Sequence, residues 1–306
     1  MNIKIRLGIL GGGGNSLVGI LHRIAAKMHD KYDIVGGVFS ENWQSNIEFA
    51  KQIGLSPSRV YVDDKKMIEE ELKLPQDQRM QAVSILTPNF LHYSMAKRLL
   101  ENNFSVICEK PLTTTYDEAK ELRSLVDKSG LIFAVTYTYT GYPMIRKMRE
   151  MISQDAIGEV QKVDAQYYQG WINPIIHSSE TRMDTWRLDP KKSGVSCCIG
   201  DIGTHAFDML EHLTQLTIDK VLADLNYLYD DNKMDIDGSI LIRCTNGVKG
   251  IIRASQIATG ENNNFAVMIY GKKGGLKWEQ ENPRVLYFMQ EGKEVQILKS
   301  ENIDTD

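Results

Sequence analysis

The chain has 306 residues, of which 42% are hydrophobic and 25% charged, and its formal net charge is −4. This length suits two globular domains of roughly 100–200 residues each. The acidic balance, with Lys and Arg scattered, excludes a basic face for nucleic acid. No apolar run approaches the roughly 20 residues that a membrane helix needs, so we expect no membrane partner. The N-terminal apolar run ends in glycines rather than at a cleavage site, which predicts a first strand and a cytoplasmic protein.

Short strands alternate with helical patterns up to about residue 136. The strands are almost wholly apolar, which is typical of a parallel sheet covered on both faces by helices; they span 5–10, 34–39, 82–86, 106–108 and 132–135. Two segments keep the 3, 4, 7 spacing of one helical face, namely Leu17, Ile20, Leu21, Ile24, Ala25 and Met28, and Tyr116, Ala119, Leu122 and Val126. Thr114 or Thr115 would cap the second helix. Residues 1–136 are therefore predicted to form a doubly wound α/β domain.

The rhythm changes from about residue 159. Val163, Ala165 and Tyr167 alternate with polar residues, as in a half-buried strand, and seven further strands are predicted at 221–229, 239–244, 248–257, 265–270, 275–278, 285–288 and 295–298. Hairpin-type turns lie at 245–247 and 272–275, and one helix interrupts at about 204–213. We expect residues 137–306 to form an α+β domain with a large, mostly antiparallel open sheet. One sheet face would lie against the first domain and the other would pair subunits in a homodimer or homotetramer.

A glycine-rich turn, G-I-L-G-G-G-G-N-S, ends the first strand and leads into a helix. A dinucleotide site needs glycine there for a tight turn, for backbone contact with the pyrophosphate, and for close helix–strand packing. Gly11 and Gly13 take the first two places of G-x-G-x-x-G, Gly14 and Asn15 follow, and the small Ser16 takes the third place. The position between strand and helix predicts a Rossmann nucleotide site.

The second strand ends at Ser40 and Glu41, where an acid normally holds the adenosine ribose. Glu41 is the candidate for this role, because the hydroxyl of Ser40 does not accept two ribose bonds as a carboxylate does. No Arg or Lys lies between residues 39 and 50 to bind a 2′-phosphate. The sequence therefore favours NAD, with NADP as the alternative.

Four cysteines, Cys108, Cys197, Cys198 and Cys244, form no C-x-x-C pair and have no His at zinc-ligand spacing. No metal site is predicted. Cys197 and Cys198 allow a strained vicinal disulfide, but two buried thiols in a reducing compartment are the preferred interpretation.

Three further motifs follow in order: T-P-N-F-L-H, E-K-P-L-T-T-T and G-D-I-G-T-H-A-F-D. Together with the glycine turn, they resemble the glucose–fructose oxidoreductase / inositol dehydrogenase / rhizopine-catabolism (Gfo/Idh/MocA) family over nearly the whole chain. The resemblance implies that Lys110, Asp201 and His205 stand at the nicotinamide. It also implies that Glu109 and Pro111 line the cofactor, and that the bond before Pro111 is often cis and aims the lysine. In the first motif, the resemblance implies cofactor contacts from Thr87, Pro88, Asn89 and His92.

The chemistry of alcohol oxidation suits these residue types. His205 has an unperturbed pKa near neutrality and would accept the alcohol proton, while Lys110 would stabilise developing alkoxide charge. Asp201, one helical turn before His205, would orient the imidazole or bind a sugar hydroxyl, and a simple N-cap is an equal alternative. His22, His29, His177 and His212 have no such partners and are interpreted as structural or surface residues.

The same resemblance implies a substrate pocket of aromatic and hydrogen-bonding side chains, as a pyranose or cyclitol needs, at Tyr139, Tyr168, Gln169, Trp171, Trp186 and Arg187. Two features depart from the family. The first is the segment 137–140, Y-T-Y-T, where the family often has an Asn and an Arg. The chain also ends soon after residue 298, where relatives continue with a segment and a helix that packs on the nucleotide domain, so we expect a truncated chain. The predicted function is dehydrogenation or reduction of a sugar, inositol or cyclic polyol. A non-catalytic nucleotide-binding sensor and an NAD-dependent glycosidase are the alternatives.

Overall fold

The computed structural model describes residues 4–177, 186–228 and 233–302. Its contacts divide the chain into two units. The first comprises Met1–Thr136 with Lys191–Gly194, and the second comprises Tyr137–Pro190 with Val195–Asp306.

The first unit contains a five-stranded parallel sheet of order β2-β1-β3-β4-β5. Its strands are β1 (Ile5–Gly11), β2 (Tyr32–Val38), β3 (Ala82–Leu86), β4 (Ser105–Cys108) and β5 (Phe133–Val135). Its helices are α1 (Leu17–Met28), α2 (Trp43–Gln52), α3 (Asp64–Lys73), α4 (His92–Glu101) and α5 (Tyr116–Ser129). Every residue of β3 is buried, as an apolar central strand requires. The predicted doubly wound parallel sheet is confirmed.

Helix α1 forms where the apolar spacing predicts it, but its apolar stripe does not face the core. Leu17, Leu21 and Met28 are 68%, 55% and 70% exposed, whereas Gly19 and Ala26 are the buried residues of the helix. Small residues let the helix approach the glycine turn closely, and this approach turns the large side chains outward. An amphipathic stripe normally marks the core-facing side of a helix, whereas the stripe of α1 faces outward.

The second unit contains an eight-stranded sheet of order β13-β12-β11-β10-β6-β9-β8-β7. Its strands are β6 (Val160–Tyr168), β7 (Ile218–Tyr227), β8 (Asp235–Cys244), β9 (Lys249–Ser255), β10 (Asn264–Gly271), β11 (Gly275–Glu279), β12 (Val285–Met289) and β13 (Gln296–Lys299). The β6–β9 pair is parallel and the other pairs are antiparallel. The predicted mostly antiparallel sheet and the hairpins at 245–247 and 272–275 are confirmed.

Helices of the same unit cover one face of this sheet. The unit contains α6 (Pro143–Ser153), α7 (Asn173–His177), a π-helix (Ile199–Gly203) and α9 (Thr204–Thr214). The short α8 (Pro190–Ser193) begins in this unit, and its last three residues belong to the first unit. Met148 of α6 and Met209 of α9 join Phe265 and Trp278 of the sheet in one buried cluster. Helix α6, which sequence analysis missed, and helix α9 therefore cover this face of the sheet.

Within the described ranges, 4–177, 186–228 and 233–302, no helix has the length and apolar character needed to cross a membrane.

Candidate active site

The glycine turn has the shape of a phosphate cradle. Gly11, Gly12 and Gly14 have φ values of +84°, +65° and +55°, which L side chains rarely adopt. A Cβ on Gly13 would lie 2.3 Å from the carbonyl oxygen of Phe39 at the end of β2. Gly13 thus packs directly against the strand end, whereas a Cβ on Gly14 would meet no atom within 4 Å. The tight turn and the open space beside Gly14 fit the pyrophosphate of a dinucleotide.

Ser16 has a different role from the one its place in the motif predicts. Its Oγ accepts a hydrogen bond from the Gly19 N–H (3.2 Å) as the N-cap of α1. Close packing of the helix on the turn falls instead to Gly19, where a Cβ would lie 1.9 Å from the Gly12 oxygen. Arg23, one turn further along α1, donates from Nη1 to the same oxygen (2.7 Å). Both contacts hold the cradle from the helix side.

The end of β2 leaves Glu41 exposed and half-buries Ser40. The Oγ of Ser40 accepts a hydrogen bond from the Asn42 N–H (3.2 Å), and Asn42 in turn caps α2. The serine hydroxyl is thus used within its own loop. Glu41 is accessible, as a ribose-binding carboxylate must be.

His92 does not line a cofactor surface, because it is fully buried. Its Nδ1 lies 2.9 Å from the Pro111 oxygen and its Nε2 lies 2.8 Å from the Thr87 oxygen. Burial lowers the pKa of His92 even though both backbone contacts raise it. The imidazole therefore links the half-buried Thr87–Pro88 segment to the segment after Lys110, and the expectation that it contacts the cofactor is wrong.

The E-K-P segment is held along its length. The N–H of Glu109 donates to the Ile85 oxygen (3.0 Å), the Lys110–Pro111 peptide bond is cis, and the Pro111 oxygen contacts His92. Asn89, also largely buried, donates from Nδ2 to the Ser193 oxygen (3.4 Å) within the same unit. The Glu109 carboxylate is used inside the unit rather than displayed at its surface, because it binds His22 and Thr136.

In the second unit, three tyrosine rings surround His205. The centroids of Tyr137, Tyr139 and Tyr167 lie 5.6, 4.9 and 6.0 Å from the imidazole, the first two edge-on. His205 is 7% exposed, so the tyrosines restrict its orientation. Burial raises the pKa of all three phenols, which keeps them protonated hydrogen-bond donors at neutral pH.

The tyrosine hydroxyls are themselves fixed by hydrogen bonds. Tyr137 pairs with the Oγ1 of Thr204 (2.7 Å), the residue before His205, and Tyr139 pairs with Tyr167 (2.6 Å). Tyr167 donates to the Oδ1 of Asn263 (3.0 Å). This network supplies oriented donors and acceptors beside the imidazole, which is the chemistry that recognises a polyol.

Asp201 is part of this site rather than a helix cap. It lies inside the π-helix and accepts a hydrogen bond from Nε2 of the fully buried Gln256 (3.1 Å). The backbone N–H groups that need a cap are bound by Asp235, whose carboxylate accepts from Cys197 (3.0 Å) and Ile199 (2.7 Å). The N-cap interpretation of Asp201 is therefore wrong. π-helical turns occur frequently at functional sites.

The predicted substrate residues divide into two groups. Tyr139 contacts His205, Gln169 donates to the Oδ1 of Asn263 (2.8 Å), and Arg187 approaches Asp201 (Nε–Oδ2 3.8 Å) with its guanidinium over the Trp186 ring. Trp171 packs instead against the buried cluster that contains Ile172 and Cys197.

Tyr168 does not reach this site. Strand alternation puts Tyr167 on the helix-covered face of β6, in the buried cluster, and Tyr168 on the opposite face. The strand therefore brings Tyr167, and not the predicted Tyr168, to His205. The alternation of Val163, Ala165 and Tyr167 already carried the signal.

Asp208 is a further residue that sequence analysis missed. It follows Thr204 by four residues and His205 by three, so the three share one face of α9. Burial, with help from the neighbouring Glu211, raises the pKa of Asp208 to about 6. Such a perturbed carboxylate beside an imidazole is typical of functional sites, and its place as the last residue of the G-D-I-G-T-H-A-F-D motif was the available signal.

Comparison with known proteins identifies the two halves of the chain. Residues 5–137 match the family model described as "Oxidoreductase family, NAD-binding Rossmann fold", and residues 145–277 match the GFO/IDH/MocA C-terminal domain. The uncharacterized oxidoreductase YfiI of Bacillus subtilis is 31% identical over 96% of this chain and 75% of its own length. Levoglucosan dehydrogenase of Pseudarthrobacter phenanthrenivorans is 27% identical over 67% of this chain and 57% of its own.

A solved structure is also similar. It is an inositol dehydrogenase homolog from Azotobacter vinelandii, complexed with NADH and myo-inositol. It is 30% identical, has a TM-score of 0.87, and covers 97% of this chain and 76% of its own.

Proposed function

The chain belongs to the Gfo/Idh/MocA family of oxidoreductases, with an NAD-binding Rossmann domain first, and from this premise we propose its reaction. The protein transfers a hydride between NAD and a secondary alcohol of a sugar, an inositol or a related cyclic polyol. Residues 1–136 bind the cofactor, and 137–306 bind the substrate.

The observation that carries the proposal is the enclosed imidazole of His205 among three tyrosines, with Asp201 one turn before it. Bound NAD supplies the hydride acceptor. His205 takes the hydroxyl proton, and the ammonium of Lys110 stabilises the negative charge that develops on the oxygen. Asp201, held by Gln256, orients the imidazole or binds a neighbouring hydroxyl.

The pocket chemistry supports a ring with several hydroxyls. Aromatic faces pack on the apolar side of such a ring, while the network of Tyr139, Tyr167, Gln169 and Asn263 offers donors and acceptors to its edge. Relatives named for levoglucosan and for scyllo-inositol fall in the same substrate class.

The test is NADH formation from NAD with a panel of sugars and inositols. We expect oxidation of at least one cyclic polyol, at a rate that His205→Asn lowers by at least about a hundredfold. Tyr167→Phe should raise KM for that substrate because it removes a hydroxyl from the network, whereas Tyr168→Phe, the matched control on the opposite face, should not.

Two outcomes would overturn this proposal. NAD binding without oxidation of any polyol would favour the sensor alternative. Glycoside cleavage without net NADH, by protein purified with NAD bound, would favour the glycosidase alternative.

We also propose that the protein works as a homodimer or homotetramer through the open face of the eight-stranded sheet. Leu222 and Leu241 are in register on this face and 71% and 55% exposed, with Ile251 next to them on β9. A contiguous apolar row of this kind is typical of an interface. The four cysteines are free and buried, which supports the cytoplasm as the compartment.

A further inference from the structure

A buried acid–imidazole contact connects helix α1 with the segment that carries Lys110. The Nε2 of His22 lies 2.9 Å from Oε1 of Glu109, and the two side chains are only 14% and 15% exposed. The Oγ1 of Thr136, just after β5, donates to the same oxygen (2.5 Å). These residues are 87 and 27 positions from Glu109 in the chain, so the contact is made by the fold alone.

The contact adds a side-chain anchor to the backbone hydrogen bonds of the E-K-P segment. The Glu109 N–H is bound to the Ile85 oxygen, and the Pro111 oxygen is bound to His92. Between these two anchors, the Glu109 side chain ties the segment to α1. Loss of this tie would let the backbone beside Lys110 shift, and a lysine aimed at a reacting oxygen tolerates little displacement.

The electrostatics favour an ionised Glu109. Burial alone would raise the pKa of this carboxyl, but the hydrogen bonds from His22 and Thr136 and the charges of His22 and Lys110 outweigh burial and lower it. A carboxylate in this position needs donors on its oxygens. The other ring nitrogen of His22, Nδ1, lies 3.5 Å from the hydroxyl of the buried Ser84.

We propose that His22 is a positioning residue for Lys110, acting through the Glu109 carboxylate. Helix α1 begins directly after the pyrophosphate turn, with Ser16 as its cap. The helix that receives the cofactor's phosphates thereby also fixes the segment that carries the reactive lysine. This inference rests on the proposed function, because it assigns His22 to the reaction in which Lys110 takes part.

The test compares His22→Leu with His22→Gln in the full chain. Leucine removes the donor, whereas glutamine keeps an N–H at the end of a side chain of similar reach. We expect His22→Leu to lower kcat for polyol oxidation by about 10- to 100-fold, the range for a small misplacement of a reacting group, with an unchanged dissociation constant for NAD. His22→Gln should restore most of the rate. Thr136→Val, nearly isosteric, should lower kcat in the same direction, and His29→Leu, at the exposed end of α1, is the control.

A second measurement separates this inference from the proposed function. Reductive methylation of the intact protein, followed by mass spectrometry, reports the reactivity of Lys110 relative to the exposed Lys51 without any turnover. We expect His22→Leu to change the rate at Lys110 alone and His22→Gln to leave it near the wild-type rate. Wild-type protein that oxidises no polyol would end the proposed function while this labelling still tests the positioning role. Equal labelling of Lys110 in all variants, or equal loss of kcat in the Leu and Gln variants, would overturn the inference.

Discussion

Asp208 lies three residues after His205 on α9. Its half-buried carboxylate is expected to lower the free energy of unfolding at neutral pH. Burial raises its pKa to about 6, against about 3.9 for a free aspartate. A difference of about two pKa units corresponds to about 3 kcal/mol at full effect. Because this carboxylate is only half-buried, solvent screening reduces the expected cost to about 1–2 kcal/mol.

The sign follows from proton linkage. Between about pH 4 and pH 6 the unfolded chain has released the Asp208 proton and the folded protein retains it, so the free energy of unfolding falls as the pH rises through this window. Asp208→Asn removes the titration and resembles the protonated acid in shape. The variant should match the wild type near pH 4 and exceed its free energy of unfolding by about 1–2 kcal/mol above pH 7.

Urea unfolding across this pH range, followed by tryptophan fluorescence, measures the difference. Three of the four tryptophans, Trp171, Trp186 and Trp278, belong to the unit that contains Asp208, so the signal reports mainly on that unit. Asp219→Asn, which removes an exposed carboxylate of β7, is the control for loss of one charge. A stability difference between Asp208→Asn and the wild type that is independent of pH, or that favours the wild type above pH 7, would refute the reasoning.

Four further outcomes are expected. Lys110→Ala should lower turnover by roughly two to three powers of ten, as loss of an oxyanion donor does, with NAD binding little changed in a fluorescence titration; tenfold weaker NAD binding would contradict this assignment. His205→Asn should cost roughly a hundred- to ten-thousand-fold and abolish the acidic limb of the pH–rate profile, since oxidation needs a neutral imidazole; near-normal turnover would move the base elsewhere. Glu41→Ala should weaken NAD more than NADP, and tighter NADP binding by the wild type at equal salt would reverse the predicted preference. Leu241→Asp should shift a light-scattering oligomer toward monomer by placing a charge in the open face, whereas a wild type already monomeric at micromolar concentration argues against that interface.

Local sequence patterns were sufficient for the strands of the parallel sheet and for the glycine turn. A parallel strand buried on both faces has to be apolar, and a turn with positive φ angles beside a phosphate has to be glycine. Both constraints act on neighbouring residues, so they remain visible in the sequence. The succession of the strands along the chain, the glycine turn and the place of Lys110 two residues after β4 are of this kind.

Contacts between distant segments decided the rest. The sequence shows an apolar stripe on α1 but not that Gly19 would bring the helix against the turn and leave Leu17 and Met28 in water. It shows Asp201 near a helix start but not that Asp235, 38 residues from Cys197, would already cap that helix. The local sequence around Asp201 does not show that Asp235 binds these N–H groups, so a capping carboxylate and a functional carboxylate have the same local pattern.

His22 shows the same limit most clearly. On its own helix it has no polar neighbour that distinguishes it from His29, and its partner Glu109 lies 87 residues further along the chain. The free energy of a buried acid–imidazole contact depends on exclusion of water from both groups at once, and only the fold, which brings His22 to Glu109 and to Ser84 of β3, creates that condition. Sequence alone therefore determined which residue types stand at the nucleotide site, while the tertiary structure determined which of the distant polar residues act together.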